Sequence, residues 1–287
     1  MASMRDIKRR KSSIQGTQQI TKAMKLVSTV KLQRARSNAE RSKSYFSCMY
    51  ETVNSILKRV GHIEHKYLVP GESQKKAVIV ITSNRGLAGG YNSNVVKLVT
   101  RHPEWKKEDL VIYPIGSKGH DALVRNGYDI RECQNDIVDA PAYVDAMALS
   151  KRLLQSFADG EIGEIYLAYT AFKNTVSHVP TLLRLLPISC EASEPEEAPK
   201  AEAIMNFEPE DVEALDLIVP KYITSLVYGA LVEAVASENG ARMQAMDNAT
   251  SNAEDMISDL SLKYNRARQG SITQELTEII AGAEALG

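Results

Sequence analysis

The sequence predicts an α/β protein with long terminal helices, the two ends forming an antiparallel coiled coil and the middle a Rossmann-like α/β domain. Three observations predict it. Neither glycine nor proline occurs between Gly16 and Gly61. No proline follows Pro220. Between these stretches, strand-like and helix-like runs alternate. The division expected is 1-60 for an N-terminal coiled-coil helix, 75-190 for the α/β domain, 191-209 for an acidic linker and 210-287 for a C-terminal coiled-coil helix.

The first segment is rich in Lys, Arg, Ala, Gln, Met and Leu, all good helix formers, over about 44 residues. Ile20, Ala23, Val27 and Val30, then Phe46, Met49, Val53, Ile56 and Val60, step by three and four. That period near 3.5 marks a coiled-coil seam, which turns polar around Arg34 to Arg41.

The middle contains strand-like AVIVITS from Ala77, DLVIYPIG from Asp109, YDIRE from Tyr128 and EIYLAYTAF from Glu164. Between them, NSNVVKLVTRH, SKGHDALVRNG and YVDAMALSKRLLQSFADG read as helices. Alternation of this kind predicts a mostly parallel sheet with helices on its faces, a Rossmann-like α/β domain. A last strand within 176–188 is expected to join by a hairpin. EASEPEEAPKAEA, with Pro195, Pro199 and a block of Glu, reads as solvated linker.

From Lys221 to Leu286 the helical signal returns. Tyr222, Leu226, Ala230, Ala234, Ala241, Ala245, Ala249 and Ala253 recur mostly four apart, and small residues let a second backbone approach closely. At 1.5 Å per residue the two helices span roughly 65 and 95 Å. A compact chain of this length has a diameter of only roughly 50 Å. Both helices must therefore project, and pairing with each other hides their stripes.

Composition sets bounds. The 287 residues are 44% hydrophobic with net charge -1, yet Met1 to Lys43 holds twelve Lys and Arg against Asp6 and Glu40, and Glu191 to Asp216 holds ten acids against Lys200. No uncharged apolar run reaches the roughly 18 residues of a membrane span, and no signal-peptide core follows the basic start. That start resembles a transit peptide in composition but continues without a cleavage-like break into helix, which favours a bacterial source. Cys48, Cys133 and Cys190 are odd in number and widely spaced, against a disulfide framework or zinc site.

TSNRGLAGGYNSN, from Thr82 to Asn94, is the most tempting motif, since strand, glycine-rich turn and helix can cradle a phosphate. A Walker loop needs Lys and Ser/Thr after its last glycine, where Tyr91 and Asn92 stand; the dinucleotide GxGxxG spacing is absent. Glu104 or Asp109 matches a ribose-binding acid only by its distance along the chain. The glycines are expected to supply positive φ at a turn, to bind no nucleotide, and to pack the domain against the shaft or a neighbour. His62 and His65 lack zincin spacing, and no GxSxG elbow or paired carboxylates occur. No catalytic set, cofactor or metal site is expected. The basic arm Arg5, Lys8, Arg9, Arg10 and Lys11 lacks interleaved aromatics, so no nucleic acid is expected either. The residues alone leave open a nucleotide-binding enzyme with a helical arm and a coiled-coil adaptor.

The ends carry a resemblance. IKRRKSSIQGTQQITKAMKLVSTVKLQRA, through Thr17, Gln18, Ile20, Thr21, Lys22, Ala23, Met24 and Val27, and YNRARQGSITQELTEIIAGAEAL, through Ile272, Thr273, Glu275, Glu278, Gly282 and Ala283, resemble the gamma subunits of F-type ATP synthases, the central rotor shaft. TSNRGLAGGYNSN resembles that family's glycine-rich stretch, which often has Asp where Asn84 stands and Cys where Ala88 stands. The similarity runs over essentially the whole chain.

The resemblance implies a non-catalytic rotor, turned by ion flow through a ring of c subunits. It turns inside a ring of alpha and beta subunits, coupling rotation to ATP synthesis or hydrolysis on the beta subunits and regulating ATPase activity. It also implies an epsilon partner and a peripheral place on the cytoplasmic face of a bacterial membrane. Lys22, Met24, Lys25, Arg266, Arg268, Gln269, Thr273 and Glu275 resemble the family's rotor-stator contact belt. Ile272, Leu276, Ile279, Ile280, Ala283 and Leu286 make an apolar tip suited to an apolar collar. Phe207, Glu208 and Pro209 resemble the foot near epsilon and the c ring. No cysteine-bearing insertion of the chloroplast type is evident.

Overall fold

A computed structural model describes residues 4–60, 65–175, 177–188 and 211–284. Helix α1 spans Met4–Val60 and the last helix, α5, spans Asp211–Glu284. Between them lie β1 (Lys76–Ile81), α2 (Tyr91–Thr100), β2 (Leu110–Ile115), α3 (Ser117–Arg125), β3 (Asp129–Ile130), α4 (Tyr143–Ala158), β4 (Glu164–Phe172) and β5 (His178–Leu186). The chain forms two compact units: Met1–Thr29 with Arg242–Gly287, and Val30–Ala241.

The second unit holds the five-stranded sheet, ordered β3-β2-β1-β4-β5. β1 to β4 run parallel and β5 returns antiparallel beside β4, as the alternating runs and the hairpin expectation require. Both faces of β1 are buried, so it reads as a continuous apolar run rather than an alternating one. Ala77, Ile79 and Ile81 pack with α4, α5 and the lower part of α1, where Val53 and Ile56 sit as the 3.5-residue period predicts. Val78 and Val80 pack with Val95, Val96 and Val99 of α2 and with Leu123 of α3.

Both terminal helices run through residues that punctuate the sequence. α1 runs through Gly16, and α5 begins ten residues before Lys221, with Pro220 inside it. Proline removes one backbone donor. Leu215, Val219, Ile223 and Val227, four apart and fully buried in the sheet core, outweigh that loss. α5 also contains an 18-residue window of mean hydropathy 1.4, long and apolar enough by composition to cross a membrane; half of that window is buried inside the fold.

In the first unit the two terminal helices pair. Gln18 Nε2 donates to Glu254 Oε1 at 3.0 Å, Thr21 and Thr250 share a hydroxyl hydrogen bond of 2.8 Å, and Lys25 Nζ donates to Asp247 Oδ1 at 2.5 Å. One number rises as the other falls, so the pair is antiparallel. The seam has the expected period but a different phase. Ile20 and Val27 are 63% and 58% exposed, whereas Thr21 and Ser28 are buried. On α5, likewise, Arg242, Met246 and Thr250 are buried, each one residue after Ala241, Ala245 and Ala249, and only Ala253 of that end of the stripe is buried as expected. Hydroxyl residues that hydrogen-bond to each other and to their own helix lose little by burial. Their small size lets the helices come close, and the bulkier Ile20 and Val27 turn outward.

Candidate functional site

The glycine-rich turn is built around its polar residues. Gly89 has φ 57, but Leu87 also has φ 64, while Gly90 has φ -81 and caps α2. Gly86, Gly89 and Gly90 are exposed, and a Cβ on Gly86 would meet nothing within 4 Å. These glycines therefore do not pack the domain against the shaft, and of the two expectations the one left is a neighbouring chain. The packing residues are Ala88 and Tyr91, both buried, with the Tyr91 hydroxyl donating to the Ala234 carbonyl of α5 at 3.2 Å.

In sheets of this kind ligands sit beyond the carboxyl ends of the strands, where the strand order reverses. That place here lies between β1 and β4, and α5 is bonded to the carboxyl end of β4 beside it. Ser237 Oγ donates to the Thr170 carbonyl at 3.0 Å, and the Phe172 amide donates to Glu233 Oε2 at 3.4 Å. The first amides of α3, the other natural anion cradle, are already engaged. Ser117 N donates to Asn84 Oδ1 at 3.1 Å, Lys118 N to the Ser83 carbonyl at 3.1 Å and Gly119 N to Thr82 Oγ1 at 2.9 Å. Asn84 also donates through Nδ2 to the Asn135 carbonyl at 2.8 Å, which an aspartate there could not do. Ser83 N and Oγ close on Asn92 Oδ1. The TSN segment thus supplies from within the chain the acceptors that a bound phosphate would offer.

Of the belt residues, Lys22, Arg266, Arg268, Gln269, Thr273 and Glu275 are exposed, and Met24 and Lys25 are half-buried. Lys25 is held by Asp247, and Glu275 accepts from Ser271 Oγ at 3.3 Å. α1 begins at Met4, so among the described residues the observed register pairs α5 with α1 up to about residue 268 and with no helix beyond it. Every residue from Ile272 to Ala283 is exposed, including Ile272, Leu276, Ile279 and Ile280 at 48%, 54%, 68% and 59%. Leu286 and the foot residues Phe207, Glu208 and Pro209 lie outside the described residues, as do His62 and Cys190. Among the described residues no group of three or more His, Cys, Asp or Glu could hold a metal ion.

An exposed stripe of large apolar residues is the kind of patch that marks an interaction surface. A family model described as ATP synthase matches residues 3–286. A curated ATP synthase gamma chain from Lachnoclostridium phytofermentans is 64% identical over 292 residues, covering all of both chains. The chain belongs to the ATP synthase gamma family. Among solved structures it is similar to a chain of the central stalk and c ring of the Tetrahymena thermophila mitochondrial ATP synthase, with TM-score 0.57, 26% identity, and 80% and 99% of the two chains covered. It also shares its fold with a chain of the Euglena gracilis mitochondrial ATP synthase, with TM-score 0.69, 19% identity, and 99% and 94% covered. The gamma family holds a central-stalk position in the ATP synthase, a membrane-associated complex.

Two features of this gamma chain escape sequence reasoning. Ile20, Leu26 and Val27 form an outward apolar surface on α1, each more than half exposed, because a stripe of apolar letters does not reveal which side a partner helix takes. The engagement of α5 at the sheet switch point by Tyr91, Thr170 and Phe172 escapes for the same reason, since its partners lie far apart in sequence.

Proposed function

We propose that this gamma chain is the non-catalytic rotor shaft of a bacterial ATP synthase, working at the cytoplasmic face of the membrane. Ion flow through the c ring turns the chain inside the alpha/beta ring, and rotation couples to ATP synthesis or hydrolysis on the beta subunits. The observation that carries this reading is full-length membership of the gamma family joined to a C-terminal helix with an exposed apolar tip. Ile272, Leu276, Ile279 and Ile280 would turn in an apolar collar, with Leu286 at its end. Lys22, Met24, Lys25, Arg266, Arg268, Gln269, Thr273 and Glu275 form the proposed belt that meets the moving beta domains, where exposed charge makes and loses contacts at modest cost. Phe207, Glu208 and Pro209 are assigned to the foot that meets epsilon and the c ring. The divisions 1-60, 75-190, 191-209 and 210-287 then separate shaft helix, clasping domain, linker and shaft helix.

Removal of Gly270 to Gly287 tests the reading in the assembled complex. Loss of rotational torque or of assembly with the alpha and beta subunits is expected; full torque and assembly without this segment would refute a shaft role. Titration of the full chain with ATP and NAD separates the rotor from a nucleotide-binding enzyme. Micromolar affinity abolished by Gly89→Val would favour the enzyme.

A further inference from the structure

Within the unit Val30–Ala241, a cleft of about 540 Å³ opens between the middle of α1, α5 and the turn that joins β4 to β5. Phe46 and Phe172 line it with aromatic rings, and Glu233 of α5 lines it with a carboxylate. That carboxylate accepts one long hydrogen bond, from the Phe172 amide at 3.4 Å. Two carboxylate oxygens offer about four acceptor positions, so most of its capacity is unused among the described residues. Among the described residues the cations nearby do not pair with it. Arg36 is bound to Glu40 at 2.9 Å, and Lys173 lies exposed in the turn without an ion-pair partner among the described residues.

We propose that this cleft binds an organic cation, a guanidinium or substituted ammonium that pairs with Glu233 and lies against Phe46 or Phe172. Aromatic faces attract such cations through their quadrupole, and an arriving donor supplies the partner a desolvated carboxylate lacks. An anionic ligand would reach Lys173 only at the exposed turn and would face Glu233 inside the cleft, and a purely apolar one would desolvate Glu233 further with nothing in return. The volume lies in the range of small-ligand sites. The cation comes either from a free small molecule or from an Arg or Lys side chain of a neighbouring subunit.

Calorimetric titration of the full-length chain with N-acetylarginine amide, against the neutral isostere N-acetylcitrulline amide, tests the site. Saturable binding of the arginine compound alone is expected. It should weaken roughly tenfold or more in Glu233→Gln and strengthen in Lys173→Gln, which removes a competing charge from an exposed position and leaves the core untouched. Binding retained in the assembled complex assigns the site to a free cation, and binding lost there assigns it to a neighbouring subunit's side chain. Absence of saturable binding, equal binding of the two compounds, or unchanged affinity in a folded Glu233→Gln chain would overturn the proposal.

Discussion

Thr21 and Thr250 meet across the paired terminal helices through a buried hydroxyl hydrogen bond of 2.8 Å. Each hydroxyl also lies against a carbonyl of its own helix, Thr21 with Gln18 at 3.0 Å and Thr250 with Met246 at 2.7 Å. Two protons serve these three contacts, so one hydroxyl donates across the seam and its partner donates back to the helix. Flanked by Gln18 with Glu254 and Lys25 with Asp247, the pair forms a polar layer in a seam that also buries Ser28, Arg242, Met246 and Ala253. Such layers set register at some cost in stability.

The Thr21 and Thr250 pair predicts strong non-additivity. Thr21→Val and Thr250→Val alone should each cost about 1 kcal/mol, because a hydrogen bond is lost while the remaining hydroxyl keeps its backbone acceptor. The double variant should cost less than the sum by about 0.5–1.5 kcal/mol. Chemical denaturation of the four chains measures the cycle, and strict additivity would sink the pairing.

Gly240 approaches His178 so closely that an added Cβ would collide with Nε2 of the imidazole. Gly240→Ala gains about 1 kcal/mol of helix propensity and loses about 1–3 kcal/mol to overpacking, so a lower melting temperature is expected. In a His178→Ala background the collision is gone and the same substitution should stabilise. The reversal of sign is the test.

Thr82 Oγ1 accepts the buried Gly119 amide and lies 3.2 Å from the Ile115 and Gly116 carbonyls. Thr82→Val leaves that amide without an acceptor and should cost about 1–3 kcal/mol. Thr82→Ser keeps the hydroxyl and should lose only the worth of a methyl, about 1 kcal/mol. Thermal unfolding of the two variants separates the hydrogen bond from the packing.

Burial holds the Glu233 carboxyl above its ordinary pKa of 4.5, opposed by the Phe172 amide. Tyr169, beside it on β4, is pushed up to about 12 by burial first and by the Glu233 charge second. A raised acid binds its proton more tightly in the folded chain, so its ionised form costs stability at neutral pH, and that cost disappears as pH falls through the raised value toward 4.5. Glu233→Gln should therefore raise the melting temperature at pH 7 and flatten its rise on mild acidification. Asp216 works the other way. Its hydrogen bond from Lys66, with a smaller contribution from His65, lowers its pKa from 3.8, so the stability it adds is present above that value and fades as pH drops through the lowered one. Asp216→Asn should leave the slope near pH 7 unchanged and alter stability only where the native Asp216 is ionised.

Much was legible along the chain because the signals are local. A strand buried on both faces must be written as a run like AVIVI, and a helix that pairs along its length must repeat near 3.5 residues. Those patterns placed β1 to β5, both terminal helices and, through the end motifs, the gamma family. The missing lysine and hydroxyl after GLAGG argued against a phosphate cradle without any coordinates. Three matters were settled only by the tertiary fold. The phase of the seam turned on whether Ile20 or Thr21 faces α5, and the hydrogen bond to Thr250 decided it. The passage of α5 through Pro220 turned on Leu215 and Val219, whose burial against the sheet offsets the lost donor. The fate of the glycine-rich turn turned on Thr82, Ser83 and Asn84 reaching α3 more than thirty residues on. Periodicity follows from the geometry of one element and can be read from one element. Which face is covered, and by what, is a property of two, and it exists only once they meet.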